Sequence, residues 1–312
     1  YNWGQLFPGF IRRDLAPFHQ WVPVRRNGHL FFMLNTFPVV LRVDEATQTV
    51  KPASICWKMN RKSLAAIQAA VTEKRDSGVP KSYLLALEKA GYEDFSKAPL
   101  AFAWNDMNGN GEMDVEEYTF FPDMDAMAEA TSGGRGDFDA DFNYRTFNGL
   151  GGPPQAYMRF NRSGWCGPDN AMPAYSWNMF EPGPPLPPEI AAGAWWPQDS
   201  AIDDEGNYYV VESGSLQIHN KIGGRNWPYG GTRRARIVKW DKNNNFQFAT
   251  GRKALRDRLA GQGRMFFPNA IKQAPHDLMV VCDKIHQPGM LWTKDGLYVG
   301  GVFDRRAEDG LP

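Results

Sequence analysis

Short strands that begin with glycine and continue into aromatic and β-branched residues recur along the chain. Three examples are "GHLFFML" (28–34), "GNYYVVE" (206–212) and "GLYVGGVF" (296–303). In a second type, a basic residue lies between apolar ones and Asp or Asn ends the strand, as in "VLRVD" (40–44), "YMRFN" (157–161) and "IVKWD" (237–241). Both patterns are typical of β-strands bounded by turns. The sequence therefore predicts a protein built mainly from β-strands.

The order of these two strand types indicates a repeated sheet. The first type precedes the second in "DDEGNYYVVE…RRARIVKWDKNNNF", and "RNGHLFFMLNTFPVVLRVDEATQT" repeats that order. Gly206 and Gly296 are 90 residues apart, which is about twice the ~40–45 residues of one propeller blade. We therefore expect an all-β fold, a six-bladed β-propeller, with further blades or another chain completing the ring. The alternative is an all-β chain in which such strands recur by accident.

Two segments have helical periodicity instead. Ala, Leu, Ile and Val recur at helical spacing in "RKSLAAIQAAVTEKRDSG" (61–78), and "KSYLLALEKAGY" (81–92) reads as a shorter helix that ends at Gly91. We expect a small helical insertion ahead of an acidic loop. The predicted organisation is residues 1–60 as the first blade or blades, 61–120 as the helical insertion plus the loop, and 121–312 as the remaining blades.

The acidic loop carries the most specific motif in the sequence. Twelve residues, "DMNGNGEMDVEE" (106–117), fit the calcium-loop pattern D-x-[DN]-x-[DN]-G-x5-E. The predicted ligands are the side chains of Asp106, Asn108, Asn110, Asp114 and Glu117 and the backbone carbonyl of Glu112. Gly111 supplies the sharp bend that the pattern needs at its sixth position. The sequence therefore predicts a Ca²⁺ site, and the alternative is a surface turn rich in Asp and Asn.

The segments on either side of the loop favour a structural role for the ion. "KAPLAFAW" before it and "YTFFP" after it read as strands, whereas a regulatory EF-hand needs two amphipathic helices. Asn at two ligand positions lowers the negative charge, which favours a modest affinity suited to calcium-rich surroundings. We therefore expect calcium to hold an insertion onto the propeller in a protein located outside the cytoplasm.

Charge and composition narrow the class of partner. Lys plus Arg and Asp plus Glu each number 35, so nucleic acid is not the expected partner. The longest apolar runs, such as "LMVVC" and "FPVVL", are too short to span a bilayer. Cys56, Cys166 and Cys282 lack metal or haem spacing. They leave open one disulfide with one spare thiol, or three buried thiols. The chain begins at Tyr1, and we read it as a processed chain or an internal piece of a longer one.

The layout resembles exported bacterial NHL-type and related six-bladed β-propeller proteins, in which a calcium loop interrupts one blade. The matching segments are "WNDMNGNGEMDVEE", "DDEGNYYVVE" and "WTKDGLYVGGVFD". The likeness covers most of the chain from Gly28 onward and is patchy over 121–200, and only the loop is specific. The resemblance implies a propeller fold and an extracellular, cell-surface or periplasmic location more than it implies a reaction.

The candidates for an active or ligand site are less specific. His276, Asp283 and His286 in "PHDLMVVCDKIHQPG" are catalytic candidates, because the central channel of a propeller can gather such groups around a metal or substrate; the alternative is strand-end residues that bond to turns. Flat aromatic residues in Gly- and Pro-rich loops suit stacking on sugar rings, or they fill the junctions between blades. These residues are Trp195, Trp196, Trp227 and Tyr229.

Two classes of function remain open from sequence. The first is a binding or assembly module whose propeller face engages a glycan, a protein partner or another subunit. The second is a carbohydrate-active enzyme or an oxidoreductase that uses the candidate channel residues His276, Asp283 and His286. Whether the protein is an enzyme is not decided by these patterns.

Overall fold

The structure, a computed structural model, describes residues 21–34, 37–130, 136–147, 156–185, 187–188, 195–215, 232–252, 268–283 and 289–302. Within these ranges eighteen strands form four sheets, and neighbouring strands in a sheet follow one another in the chain. This sequential order is the pattern of propeller blades. The prediction of an all-β, propeller-like arrangement with few helices is therefore confirmed.

The strands have the following bounds. The first sheet contains β1 (Trp21–Arg26), β2 (His29–Leu34), β3 (Val39–Asp44), β4 (Thr49–Lys58), β5 (Ala101–Asn105) and β6 (Tyr118–Phe120), in that order. The second contains β7 (Asp137–Phe138), β8 (Tyr144–Phe147), β9 (Ala156–Cys166) and β10 (Met172–Pro185), in the order β10-β9-β8-β7. The third contains β11 (Trp195–Ile202), β12 (Tyr208–Ser215), β13 (Thr232–Trp240) and β14 (Phe246–Arg252). The fourth contains β15 (Pro268–Ala274), β16 (Leu278–Asp283), β17 (Gly289–Thr293) and β18 (Tyr298–Val302).

The number of sheets differs from the expectation. The described residues form four sheets, whereas the sequence predicts six blades. One reason is that the sequence expectation takes about 40–45 residues for each blade, whereas the first sheet alone draws its six strands from residues 21–120. Two helices inserted between β4 and β5 account for much of that length.

The first two helices begin where the sequence predicts them, and a third, short helix was not predicted. α1 (Arg61–Thr72) and α2 (Lys81–Lys89) follow β4, and α3 (Asp125–Ala130) follows β6. Asn60 caps α1 by accepting a hydrogen bond from the amide of Ser63, with Oδ1 2.8 Å from the nitrogen. α1 turns Leu64, Ile67 and Ala70 inward. None of the helices in the described part of the chain has the length and apolar character needed to cross a bilayer.

The chain divides into two compact units. The first comprises Tyr1–Ser132, Asp141–Tyr144 and Arg159–Glu181, and the second comprises Gly133–Ala140, Arg145–Met158 and Pro182–Pro312. The predicted insertion, 61–120, contains α1 and α2 and also β5 and β6, which pair with the rest of the first sheet. The two helices therefore interrupt a sheet, and the loop lies between two of its strands.

The core of the second unit lies between its sheets. Alternate side chains of β11–β13 and β15–β17 form one buried cluster: Ala201, Tyr209, Val211, Ala235, Ile237, Ile271, Met279, Val281, Met290 and Trp292. The opposite face of the third sheet forms another, with Ile202, Tyr208, Val210, Val238 and Trp240. Both faces of the third sheet therefore carry buried apolar clusters, and β12 contains adjacent apolar residues, "YYVV" (208–211), that face both ways.

The cysteines form no disulfide with one another. Cys56 and Cys166 are buried free thiols, and Cys282 is an exposed free thiol. Neither alternative from the sequence holds in full, because no pair is joined and only two of the three thiols are buried.

Candidate functional site

The first sheet positions the two ends of the acidic loop. β5 ends at Asn105, a 3-10 turn covers Val115–Glu117, and β6 begins at Tyr118. Trp104 on β5 pairs directly with Tyr118 on β6 in an antiparallel register. The pairing of the two strands brings the first and last predicted ligands of the loop, which follow and precede those residues, to the same end of the sheet.

Backbone amides hold one oxygen of each of the two terminal carboxylates. Oδ2 of Asp106 accepts a hydrogen bond from the amide of Gly111 at 2.9 Å. Oε1 of Glu117 accepts hydrogen bonds from the amides of Met107 at 2.8 Å and Asn108 at 3.2 Å. These bonds close the loop upon itself, so both carboxylates are fixed in direction.

The other oxygen of each carboxylate is buried without a hydrogen bond. Asp106 is 1% exposed and Glu117 is 9% exposed. Oδ1 of Asp106 and Oε2 of Glu117 receive no hydrogen bond from any described residue. Burial raises the pKa of both carboxyl groups, and the negative charges of Asp106 and Asp114 further raise the pKa of Glu117. Buried carboxylate oxygens that lack a donor are costly unless a cation compensates them.

The middle of the loop presents alternate polar side chains. Oδ1 of Asn108 accepts from the amide of Asn110 at 2.9 Å, and Oδ1 of Asn110 accepts from the amide of Glu112 at 2.6 Å. The Nδ2 groups of both asparagines donate to Oδ2 of Asp114, at 2.8 and 2.9 Å. The loop is therefore curled around the Asp114 carboxylate, with the two asparagines on its exposed side.

Two glycines allow the loop to fold tightly against its surroundings. Gly109 and Gly111 have φ values of +76° and +74°, which favour glycine. A Cβ atom at Gly111 would lie 2.7 Å from Cβ of Lys51, and one at Gly109 would lie 2.5 Å from Cδ of Pro168. Glycine is therefore required at both positions for conformation and for space.

The donor set suits a hard divalent cation. Carboxylate, amide and carbonyl oxygens are the ligands that Ca²⁺ prefers. The described residues do not bring three His, Cys, Asp or Glu side chains into a geometry ready to hold a metal ion. The Asp114 carboxylate, which the two asparagine amides engage, has to turn or act through water for the shell to close. The residues fit Ca²⁺ in type, and Asp106 and Glu117 each keep one buried oxygen that accepts no hydrogen bond from the described residues.

The candidate catalytic residues are placed apart where they are described. His276 lies in the exposed turn that joins β15 and β16, with φ +63°. Asp283 is the last residue of β16, opposite Pro268 of β15. The length of β16 therefore separates the backbones of these two residues. His286 lies outside the described residues, and the proposed catalytic grouping stays a prediction.

The candidate aromatic platform is described only in part. Trp195 and Trp196 belong to β11 rather than to a loop, and their backbones pair with Gly214 and Ser213 of β12. Trp227 and Tyr229 lie outside the described residues. Stacking of these rings on sugars stays a prediction.

The structure also assembles a charged cluster that sequence reasoning missed. Nζ of Lys294 lies 2.5 Å from a carboxylate oxygen of Asp204, 3.1 Å from Asp277 and 3.5 Å from Glu205. The four residues come from three turns of the third and fourth sheets. Each turn is recognisable in sequence by its Glu-Gly, Asp-Gly or Pro-His-Asp residues. Only the packing of the sheets shows that one lysine contacts carboxylates from two other turns.

Comparison with known proteins assigns no family to the chain. No protein-family model matches the sequence, and no curated protein matches it significantly. The likeness to exported propeller proteins therefore stays a prediction. Function has to be inferred from the acidic loop and from the surfaces of the sheets.

Proposed function

We propose that this protein is a calcium-stabilised β-propeller that acts as a binding or assembly module outside the cytoplasm. The observation that carries the calcium part is the pair of buried oxygens, Oδ1 of Asp106 and Oε2 of Glu117, which accept no hydrogen bond from the described residues. A divalent cation between them would neutralise both charges and offset the cost of their burial.

Each loop residue has a stated role in this proposal. Asp106 binds the ion through Oδ1 and Glu117 binds it through Oε2. Backbone amides donate to the other oxygen of each carboxylate. Asn108 and Asn110 offer amide oxygens, Glu112 offers its backbone carbonyl, and Asp114 completes the shell directly or through water. The bound ion supplies positive charge and rigidity, and the loop then fixes β5 to β6 at the end of the first sheet.

Calcium titration tests this part of the proposal. Isothermal titration should show one Ca²⁺ bound per chain, and thermal unfolding should shift to lower temperature in EGTA, because a ligand that binds only the folded state stabilises it by mass action. Glu117→Gln should lose both effects. Glu116→Gln is the matched control, since Glu116 is exposed and pairs with Lys89. An unshifted melting curve and no heat of binding would refute the calcium site.

The fourth sheet supports the assembly part of the proposal. On β16 and β17, Met279, Val281, Met290 and Trp292 face the buried cluster shared with the third sheet. The intervening residues Leu278, Val280 and Leu291 lie on the opposite face and are half-buried. Beside them, Val299 is 55% exposed and Leu297 is 68% exposed. We call the surface formed by these five aliphatic residues the outer face of the fourth sheet.

The packing of the third sheet indicates which kind of partner would bind the outer face of the fourth sheet. The third sheet has apolar clusters on both faces, as expected for a blade between two neighbours. The five aliphatic side chains, which lie beside Lys272 and Thr293 on this face, suit another sheet of protein better than a sugar. We therefore propose a protein partner here, either a further blade or another chain. A six-bladed ring would need two sheets besides the four described.

Sedimentation velocity tests the assembly part. The chain should associate with increasing concentration, and Val299→Lys should reduce that association because it places a charge on the outer face. Thr49→Lys is the control, since Thr49 is an exposed strand residue of the first sheet. Equal sedimentation of wild type and Val299→Lys at all concentrations would show that the outer face does not join copies of this chain.

A further inference from the structure

The turn between β9 and β10 packs directly against the acidic loop, and both belong to the first unit. Gly109 of the loop lies so close to Pro168 of the turn that a Cβ atom at Gly109 would be 2.5 Å from Cδ of Pro168. A Cβ atom at Gly167 would lie 3.8 Å from the backbone oxygen of Asp106. The loop and the turn therefore touch at two points, one of them the first predicted ligand.

A second connection joins β10 to the start of the loop. Asn105 is the last residue of β5 and precedes Asp106. Its Nδ2 donates to the backbone oxygen of Tyr175 at 3.1 Å, and its Oδ1 accepts from the amide of Tyr175 at 2.8 Å. The side chain thus makes the two bonds that a neighbouring strand would make. The backbone of β10 is therefore fixed to the residue next to the first ligand.

The negative charges of Asp106 and Glu117 also affect Cys166, the last residue of β9. Burial raises the pKa of the Cys166 thiol to about 12, and the negative charges of Asp106 and Glu117 contribute to that rise. Cys166 is 2% exposed. The last residue of β9 therefore lies in the electric field of the two carboxylates that would bind the ion.

We propose that ion binding in the loop is coupled to the packing of the β9–β10 turn, so that calcium controls the conformation of this hairpin. The inference rests on the proposed calcium site. The buried oxygens of Asp106 and Glu117 repel each other when no cation lies between them, and opening of the loop to admit water would move the backbone at Gly109. That movement would release Pro168. Conversely, a turn packed against Gly109 restrains the loop in the closed form that binds the ion.

Coupling between two parts of a protein is reciprocal, and this gives the first test. Pro168→Ala removes the ring atoms that contact Gly109 but removes no predicted ligand. Calcium affinity measured by isothermal titration should fall about fivefold or more, the lower end of ordinary coupling. Asn170→Gly is the matched control in the same turn, because Asn170 has φ +46° and glycine accepts that conformation. Its affinity should stay within about twofold of wild type.

Hydrogen exchange followed by mass spectrometry gives the second test, and its main comparison is made on the wild type. In wild type, amides of residues 166–172 should exchange more slowly with Ca²⁺ than with EGTA, while amides of α1 should change little. In Glu117→Gln, exchange at 166–172 should no longer depend on calcium. Helix α1 lies in the same unit, so an equal change in α1 would indicate general stabilisation and would overturn the coupling.

The outcomes separate the two proposals. If calcium binds but Pro168→Ala keeps its affinity and exchange at 166–172 does not change, the coupling is wrong and the calcium site stands. If calcium does not bind to wild type, the calcium site and the coupling both fail. Should Pro168→Ala not fold, the exchange measurement on wild type decides alone.

Discussion

Asp199 of β11 accepts a hydrogen bond from the backbone amide of Ile271 of β15, with 3.1 Å between Oδ2 and the nitrogen. Both residues are fully buried. Asp137 of β7 makes the same kind of bond to the amide of Ile202 of β11, at 3.2 Å. These three strands are edge strands of successive sheets. A buried carboxylate on one edge strand therefore holds the backbone of the next.

Removal of the Asp199 carboxylate should destabilise the second unit. Asp199→Ala leaves the buried amide of Ile271 without its acceptor, and we expect the free energy of unfolding in urea to fall by about 2–3 kcal/mol. Asp199→Asn keeps an acceptor oxygen and should lose less. The exposed Asp295→Ala should stay within about 0.5 kcal/mol of wild type. Equal stability of all three variants would show that this hydrogen bond does not hold the sheets.

Alanine substitution at Gly111 and at Gly78 distinguishes the cost of steric crowding from the cost of backbone strain. They have nearly equal φ values, +74° and +75°, so alanine is strained at either position. A Cβ at Gly111 meets Lys51, whereas nothing lies within 4 Å of one at Gly78. Gly78→Ala should cost about 1 kcal/mol in unfolding free energy.

Gly111→Ala should cost more than Gly78→Ala and should also weaken calcium binding, because the amide of Gly111 holds Asp106. Urea unfolding and calcium titration of the two variants check this prediction. Equal costs and unchanged calcium affinity would contradict the close packing of Lys51 on the loop.

Wild type should be more stable than Glu117→Gln in calcium, and it should lose this advantage when calcium is removed. Burial raises the pKa of Glu117 above its ordinary value of 4.5. The folded protein without calcium then holds this proton more tightly than the unfolded chain, so stability falls as pH rises from the ordinary pKa through the raised one. In EGTA near pH 7, Glu117→Gln should therefore be at least as stable as wild type.

The proposed calcium site predicts that the order reverses with calcium, since the ion would favour the ionised carboxylate that Gln cannot supply. Wild type should be the more stable protein at neutral pH and should lose that advantage on acidification, because protons compete with the ion. Urea unfolding of both proteins between about pH 4 and 8, with calcium or with EGTA, measures the difference. If wild type is more stable than Glu117→Gln in EGTA as well, the buried oxygen of Glu117 that accepts no hydrogen bond does not destabilise the calcium-free protein.

Lys294 should stabilise the turns of the third and fourth sheets by balancing their carboxylates. Its hydrogen bond with Asp204 is the main reason that the pKa of Lys294 is raised and that the pKa of Asp204 is lowered. Lys294→Met should lower the unfolding free energy by about 1 kcal/mol at neutral pH, since its partners are largely exposed.

The effect of Lys294→Met should become smaller in acid. A lowered carboxyl pKa contributes stability above its ordinary value that is lost as pH falls through the lowered one. Unfolding measured at neutral pH and at about pH 3 tests the sign. Lys242→Met serves as the control because it removes an equal charge from another turn of the third sheet. A loss that is equal at both pH values would point to packing rather than to charge.

Features that depend on neighbouring residues could be predicted from sequence. The strand predicted at 28–34 is β2, the one at 206–212 contains most of β12, and the helices predicted from 61 and 81 are α1 and α2. The glycine bends of the acidic loop and the strands on either side of it also follow from local pattern. Side-chain alternation, turn residues and caps act over a few residues, so the sequence alone contains these signals.

Only the tertiary structure decided which distant residues meet. Lys294 lies 90 positions from Asp204, and Asp199 lies 72 positions from Ile271. The tertiary structure also shows that Asp106 and Glu117 each have one buried oxygen without a hydrogen bond from the described residues. His276 and Asp283 lie at opposite ends of β16. By itself, the sequence determined many of the strands and turns and the oxygen-bearing side chains of the acidic loop. The number of sheets, the partners of the buried charges and the contact of the loop with Pro168 arise from the packing of sheets, which no local pattern encodes.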